Sequence, residues 1–130
     1  MNSVAGRAEA SASGVTFVHP DLARLPLPSA PEAAGDVTLG VRPEDLYVSG
    51  MAPASKNVAP FGTFTLDVLE PMGNEIVLYA SSGDTSVVAR VEPQPMPQPG
   101  EPITLSADLD KLHTFDTASG VSLRHAVEVA

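Results

Sequence analysis

The stretch GTFTLDVLE, residues 62–70, decides the fold class of this chain. Its apolar residues Phe64, Leu66 and Val68 stand at every second position, and polar residues stand between them. A period of two is typical of a β-strand that buries one face. We therefore predict a strand here, with an all-β fold built around it.

Two further runs with the same alternation follow this stretch. They are NEIVLYA at 74–80 and TSVVARV at 85–91. The segment PMGN before the first run contains Gly73, and SSGD separates the two runs, so both junctions have the composition of turns. Three strands in this order predict an antiparallel meander.

The rest of the chain is expected to add strands and little helix. PITLSAD at 102–108 and KLHTFD at 111–116 alternate clearly, whereas GVTFV, LARLPLP and DVTLGV in the first part alternate more weakly. Helix is expected only as a turn or two near RPEDL and DLDKL. The resulting prediction is one antiparallel barrel domain over 1–130, with weaker strands in 1–50, core barrel strands in 62–123, and loops at 51–61 and 92–102.

The second predicted loop is crowded with proline, at positions 93, 95, 97, 99 and 102. A polyproline II ligand needs rings three residues apart to place them on one face, and only Pro99 and Pro102 have that spacing. An interdomain linker is disfavoured because only about thirty residues follow, too few for a second domain. We interpret the tract as a stiff, extended loop between two strands.

Composition excludes several classes of function. The chain has 130 residues, 43% of them hydrophobic, and a formal net charge of −9 from 16 acidic and 7 basic residues. This charge disfavours nucleic acids and anionic membrane surfaces, which both attract cationic proteins. There is no cysteine, so disulfides and thiolate metal sites are excluded. The N-terminal residues lack the apolar core of a signal peptide, and a soluble, cytoplasmic protein is the expectation.

Common catalytic motifs are also missing. The lysines Lys56 and Lys111 follow Ser55 and Asp110, so no Gly-Lys pair of a phosphate-binding Walker loop exists. The histidines at 19, 113 and 125 are far apart and form no HExxH motif, and there is no GxSxG motif. Acidic residues such as Asp84 and Glu92 fall at strand ends, where solvation is their ordinary role. We therefore predict that this chain is not itself an enzyme; a freestanding enzyme remains the least supported hypothesis.

Three segments together resemble a known family. They are LGVRPEDL at 39–46, EPMGNEIVLYA at 70–80, and the run from Val88 to Leu123 that contains RVEP, PGEP and LHTFD. In this order they resemble the C-terminal TOBE domain of ATP-binding subunits from sugar importers of the maltose and glycerol-3-phosphate type. The sequence departs from the family pattern at Asp45, usually His, at Thr114, usually Leu, and at Ser3, usually Phe.

The resemblance implies an OB-like fold, as one barrel or two small intertwined ones, that regulates and dimerises an ATPase subunit without catalysis of its own. ATP and magnesium would then be held by an ATPase domain absent from this chain, and no cofactor is expected here. The implied partners are a second copy, that ATPase domain, membrane subunits indirectly, and a regulatory protein. The implied location is cytoplasmic, at the inner membrane.

The family motifs also nominate site residues with structural or regulatory roles. These are Arg42, Pro43, Glu44, Glu70, Gly73, Glu75, His113, Phe115 and Asp116. An alternative function stays open, because molybdate-binding proteins share the small fold and carry a short Ser-Ala-Arg-Asn segment. ASKNVAPFG resembles that segment at Ser55 and Asn57, whose polar groups could hold an oxyanion.

Overall fold

The computed structural model describes residues 1–123, so His125 and the end of the predicted 1–130 domain lie outside the described residues. The described residues form ten strands. They are β1 (Asn2–Ser11), β2 (Gly14–Val18), β3 (Leu25–Pro26), β4 (Gly35–Val41), β5 (Leu46–Val48), β6 (Val58–Pro71), β7 (Ile76–Ser82), β8 (Thr85–Val91), β9 (Pro102–Asp108) and β10 (His113–Asp116).

These strands form two five-stranded sheets in which every pairing is antiparallel. The first sheet has the order β10-β4-β1-β2-β3, and the second has the order β5-β9-β6-β7-β8. The chain therefore builds four strands of the first sheet, then the whole second sheet, and returns to the first sheet with β10. This return intertwines the two sheets.

Within residues 1–123, helix is limited to two 3₁₀ turns, Pro43–Asp45 and Leu109–Lys111, which lie in the two segments where the sequence predicted it. The prediction of an all-β, antiparallel fold with minimal helix is confirmed. Across residues 1–123, no helix has the length and apolar character needed to cross a bilayer.

The predicted meander is present as β6, β7 and β8. The alternating residues of β6 behave as expected, because Phe64 and Leu66 are buried while Val68 lies beyond a bulge and is exposed. In β7 and β8, Leu78 and Val87 face the same core. The period-two pattern thus located the three strands and most of their buried face.

Strand β6 is longer than predicted and bends twice. Its first half pairs with β9 and its second half with β7, with register shifts between Pro60 and Gly62 and between Leu66 and Val68. A bulge adds a residue and increases the local twist, which allows one strand to serve two neighbours. Residues 58–61 of the predicted loop 51–61 therefore lie in a strand, and this part of the loop prediction is wrong.

The second sheet curls until its two edge strands are neighbours. Strand β5 and the turn Pro43–Asp45 lie against β8, although no β-ladder joins β5 to β8 within the described chain. Sequence analysis did not predict β5, and it expected the core strands to begin at residue 62. The sheet is a partly closed barrel with a gap at this seam.

Strand β1 was also missed, because its inward residues are small. Val4, Gly6 and Ala8 face inward, and a Cβ on Gly6 would lie 2.6 Å from the ring of Phe17. Small residues are needed here so that the aromatic ring can approach the backbone. Because glycine and alanine have low strand propensity, the sequence of β1 shows no clear alternation of large apolar residues.

The two sheets share one continuous hydrophobic core. Two polar contacts also join them at β8. The Asn2 side chain donates to the carbonyl oxygens of Val41 (3.1 Å) and Val88 (2.9 Å), and accepts from the Val88 N–H at 2.8 Å. The Thr85 hydroxyl donates to the Asp21 carboxylate at 3.0 Å. Asn2 thus pairs with the edge of β8 as a backbone peptide would.

Candidate functional site

A cleft lies at the seam between β5 and β8, where the second sheet does not close. It has a volume of about 280 Å³. One wall comes from the turn before β5, from β5 and from the loop after it; the other comes from the end of β8 and the start of the proline tract. The lining residues are Glu44, Tyr47, Val48, Met51, Pro53, Arg90, Val91, Glu92, Pro93 and Gln94.

The first wall is positioned by the predicted family motif around Arg42, Pro43 and Glu44. Pro43 occupies the first position of the 3₁₀ turn, where its fixed φ is favourable and no amide hydrogen is needed. The Asp45 N–H closes the turn on the Arg42 carbonyl at 2.9 Å. The next residue, Leu46, is fully buried and anchors the turn to the core. Glu44 is consequently held on this wall of the cleft.

The opposite wall contains an ion pair. Arg90 donates from Nε and Nη2 to the two carboxylate oxygens of Glu75, at 3.0 and 3.1 Å. A bidentate guanidinium–carboxylate pair fixes the orientation of both side chains. Glu75, a predicted site residue, thereby neutralises the cation that lines the cleft.

Two carboxylates at the cleft have no such partner. Neither Glu44 nor Glu92 forms an ion pair or a side-chain hydrogen bond with residues 1–123. They stand on opposite walls, and the lining of the cleft is about equally polar and apolar. The cleft is therefore a mixed slot that carries an unpaired carboxylate on each wall.

The carboxyl group of Asp45, next to Glu44, has a raised pKa. Burial raises its pKa, and the nearby charges of Glu44 and Asp108 raise it further, while Lys111 and Arg42 act in the opposite direction. The folded state therefore disfavours the ionised form of Asp45. The position is one where the sequence departs from the family pattern.

The hairpin between β6 and β7 holds two more predicted residues. Gly73 has φ +88° in the turn, which the Met72 N–H closes on the Glu75 carbonyl at 2.8 Å. Glu70 accepts a hydrogen bond from the hydroxyl of Tyr79, and this contact raises the tyrosine pKa. These residues shape the hairpin and its outer face, and they do not line the cleft.

The remaining motif residues lie on the first sheet, in or at the end of β10. The rings of His113 and Phe115 stack at a centroid distance of 6.4 Å. The Asp116 carboxylate accepts from the N–H and hydroxyl of Ser119, both at 2.8 Å, and these bonds lower its pKa. The structure therefore places Glu44 on one wall of the cleft and Glu75 in contact with Arg90 of the other wall, and it places these three residues elsewhere. Any regulatory role for them stays a prediction.

The alternative oxyanion residues lie in an unfavourable setting. Ser55 is exposed, and the Asn57 side-chain amide donates to the Asp110 carboxylate at 3.4 Å. The Asn57 carbonyl also accepts from the Leu109 N–H. An anion bound here would lie next to the Asp110 carboxylate, which already accepts the side-chain N–H of Asn57. In the described part of the chain, no group of three potential ligands is arranged to hold a metal ion.

Sequence reasoning missed most of the cleft. Tyr47, Met51 and Gln94 were not singled out, and Glu92 was assigned only to solvation. The cleft forms between segments far apart in the chain, so no local spacing marks it. The only available signal was the position of two motif segments, around Pro43 and Pro93, at opposite edges of one predicted barrel.

The sequence of this chain is similar to sequences of a known domain family. Residues 39–115 match the family model described as the TOBE domain. The chain is 33% identical over 125 residues to the sn-glycerol-3-phosphate import ATP-binding protein of Yersinia enterocolitica, covering 95% of this chain and 33% of that protein. It is 32% identical over 88 residues to a sulfoquinovosyl glycerol transport ATP-binding protein of Agrobacterium fabrum, covering 68% of this chain and 23% of that protein. The chain thus spans a quarter to a third of the length of these relatives.

A solved structure supports the fold. The cytoplasmic molybdate-binding protein ModG superposes with a TM-score of 0.61 and 16% identity, covering 92% of this chain and 95% of that chain. This likeness extends over both sheets and confirms the OB-like prediction. At this identity it concerns the fold alone.

Proposed function

Since this chain belongs to the TOBE domain family, we propose that it is the regulatory and dimerisation domain of the ATP-binding subunit of an importer. The importer would be an ATP-binding-cassette transporter for sugars, polyols or glycerol-3-phosphate. The observation that carries the proposal is the alignment with a glycerol-3-phosphate import ATP-binding protein over 95% of this chain, together with the family match over residues 39–115.

In this proposal the chain supplies no chemical step. ATP and magnesium are held by a separate ATPase domain of the subunit, while the TOBE domain formed by this chain keeps two subunits together. The partners are a second copy of the chain, the ATPase domain and, through it, the membrane subunits. The working location is the cytoplasmic side of the inner membrane. The absence of a Gly-Lys pair in the sequence supports the assignment of nucleotide binding to a separate domain.

Domain exchange tests the proposal directly. The matching region of the Yersinia enterocolitica glycerol-3-phosphate import ATP-binding protein is replaced by this chain, and glycerol-3-phosphate uptake is measured in cells lacking the native subunit. We expect uptake above that of a subunit from which the region has been deleted. Uptake equal to the deletion control, with the chimera expressed and hydrolysing ATP, contradicts the proposal.

Self-association can be measured on the chain itself by sedimentation velocity. Two copies that each carry a net charge of −9 repel one another, so we expect the dimer to strengthen as salt screens this repulsion. A chain that stays monomeric at all salt concentrations contradicts the dimerisation part of the proposal. Calorimetric titration with molybdate and sulfate addresses the oxyanion alternative, and the carboxylate beside Asn57 leads us to expect no heat of binding.

A further inference from the structure

We propose that the cleft between β5 and β8 binds a basic segment of a partner protein, by accepting one lysine or arginine side chain together with a flanking apolar residue. The inference rests on the shape and charge of the cleft and does not depend on the importer assignment. It goes beyond that assignment by naming a docking point and the chemistry of its occupant.

The cleft carries uncompensated negative charge. Glu44 and Glu92 stand on opposite walls without a cationic partner among the described residues, while the cation of Arg90 is already bound by Glu75. A cationic side chain placed between Glu44 and Glu92 would give these two carboxylates the ionic partner that they lack. The chain as a whole, with a net charge of −9, attracts basic partners and speeds their encounter.

About half of the cleft surface is apolar. Met51 is 54% exposed, and Tyr47 and Val48 are half-buried, so the cleft presents apolar surface that no other part of the described chain covers. Tyrosine offers a ring face to a cation, and methionine adapts to irregular side chains. The stem of a lysine or arginine is itself apolar and suits such a slot.

The cleft is small and its walls are stiffened by proline. At about 280 Å³ the cleft lies at the lower end of the range for binding sites, and it has room for one or two side chains presented by a protein. Pro53 and Pro93 stand on its two sides and limit the motion of the loops that carry them. A preformed slot loses little entropy when it is filled.

Fluorescence anisotropy with short labelled peptides tests the inference. The probe carries one arginine between two leucines, and its matched control carries citrulline, which has the same shape without the charge. We expect the arginine peptide to bind more tightly, and its affinity to fall with added salt. Equal binding of both peptides, or no binding of the arginine peptide, overturns the proposal.

Variants locate the binding site. We expect Glu44→Gln and Glu92→Gln each to weaken binding of the arginine peptide about two- to fivefold, and the double variant about tenfold. Asp67→Asn removes an exposed carboxylate outside the cleft and should leave binding unchanged. Because all three side chains are exposed, melting temperatures should stay constant. Unchanged affinity in the double variant overturns the location.

Free arginine amide distinguishes the two sources of a guanidinium group. We expect it to compete with the peptide only weakly, because it lacks the apolar neighbours. Competition as strong as that of the unlabelled peptide would mean that the cleft is a small-cation site, and it would overturn the assignment of a protein occupant. Failure of the importer assignment leaves these measurements unaffected.

Discussion

Replacing Thr114 by valine should stabilise the protein. Thr114 is fully buried in β10, and its hydroxyl has no hydrogen-bond partner among residues 1–123. A buried hydroxyl without a partner loses its hydrogen bonds to water and gains nothing in return. Valine has the same shape without the polar group, so the substitution removes the penalty and leaves no cavity.

The expected stabilisation by Thr114→Val is set by the usual cost of an unsatisfied buried polar group. An unsatisfied buried polar group costs about 1–3 kcal/mol, and we expect Thr114→Val to recover about 1–2 kcal/mol of this. The entropy of unfolding is about 2.1 cal/mol/K per residue, so for the 130 residues of this chain each kcal/mol shifts the melting temperature by about 4 °C. The expected rise is therefore about 4–8 °C.

Thr85 supplies a matched control. It is also buried, at 6% exposure, but its hydroxyl donates to the Asp21 carboxylate at 3.0 Å. Thr85→Val is the same chemical change, and it should destabilise the protein by about 1–3 kcal/mol because a bond to a charged acceptor is lost. One substitution type should thus produce opposite signs at two buried sites.

Urea denaturation and differential scanning calorimetry measure both variants against the native chain. A destabilised or unchanged Thr114→Val variant refutes the reasoning, as does a Thr85→Val variant as stable as the native protein. Thr104→Val, at an exposed hydroxyl paired with Thr63, should change stability by less than about 0.5 kcal/mol. A large effect there would mean that threonine substitutions in these strands act through something other than burial.

Three further substitutions test other parts of the structure. Asn2→Ala should cost about 2–3 kcal/mol and speed hydrogen exchange at the Val88 amide, while Asn2→Asp should keep the acceptor and protect that amide; slow exchange in the alanine variant contradicts the contact. Asp45→Asn should stabilise the protein at neutral pH. Because the folded pKa of Asp45 is raised, its ionisation costs no stability below the unfolded pKa, an increasing amount between the unfolded and folded pKa values, and the full amount above the folded pKa. The gain in urea midpoint from Asp45→Asn should therefore vanish near pH 3, and a gain independent of pH contradicts this prediction. Gly73→Val should cost about 1–3 kcal/mol through φ +88° alone, since a Cβ there meets no atom within 4 Å, and Gly73→Asn should lose less; an unchanged melting temperature for the valine variant would count against the turn.

The meander could be predicted because its strands bury large residues at every second position. Phe64 and Leu78 give a strong period-two signal, and Gly73 marks the turn between their strands. Strand β1 could not be found in this way, because contact with Phe17 requires small residues such as Gly6. The start of β6 was hidden for another reason: Pro60 reads as a loop residue, and only a bulge makes it compatible with pairing to β9.

The candidate site was only partly predictable. Glu44 and Glu75 were nominated from motifs, but the approach of Glu44 to Arg90, the partner of Glu75, depends on how far the second sheet curls. Curvature comes from the bulges in β6, and bulge positions leave little trace in hydrophobic periodicity. Residues such as Met51 and Glu92 enter the cleft only because β5 and β8 approach each other there.

Strand β10 is synthesised after the whole second sheet, and this order affects folding during translation. On the ribosome, the first four strands emerge early, but the outer side of β4 acquires its neighbour only after the whole second sheet has been synthesised. During that interval an unpaired strand edge is available to other nascent chains. Genes truncated shortly before His113 should therefore yield products that aggregate or require chaperones, even though most of the hydrophobic residues are already present.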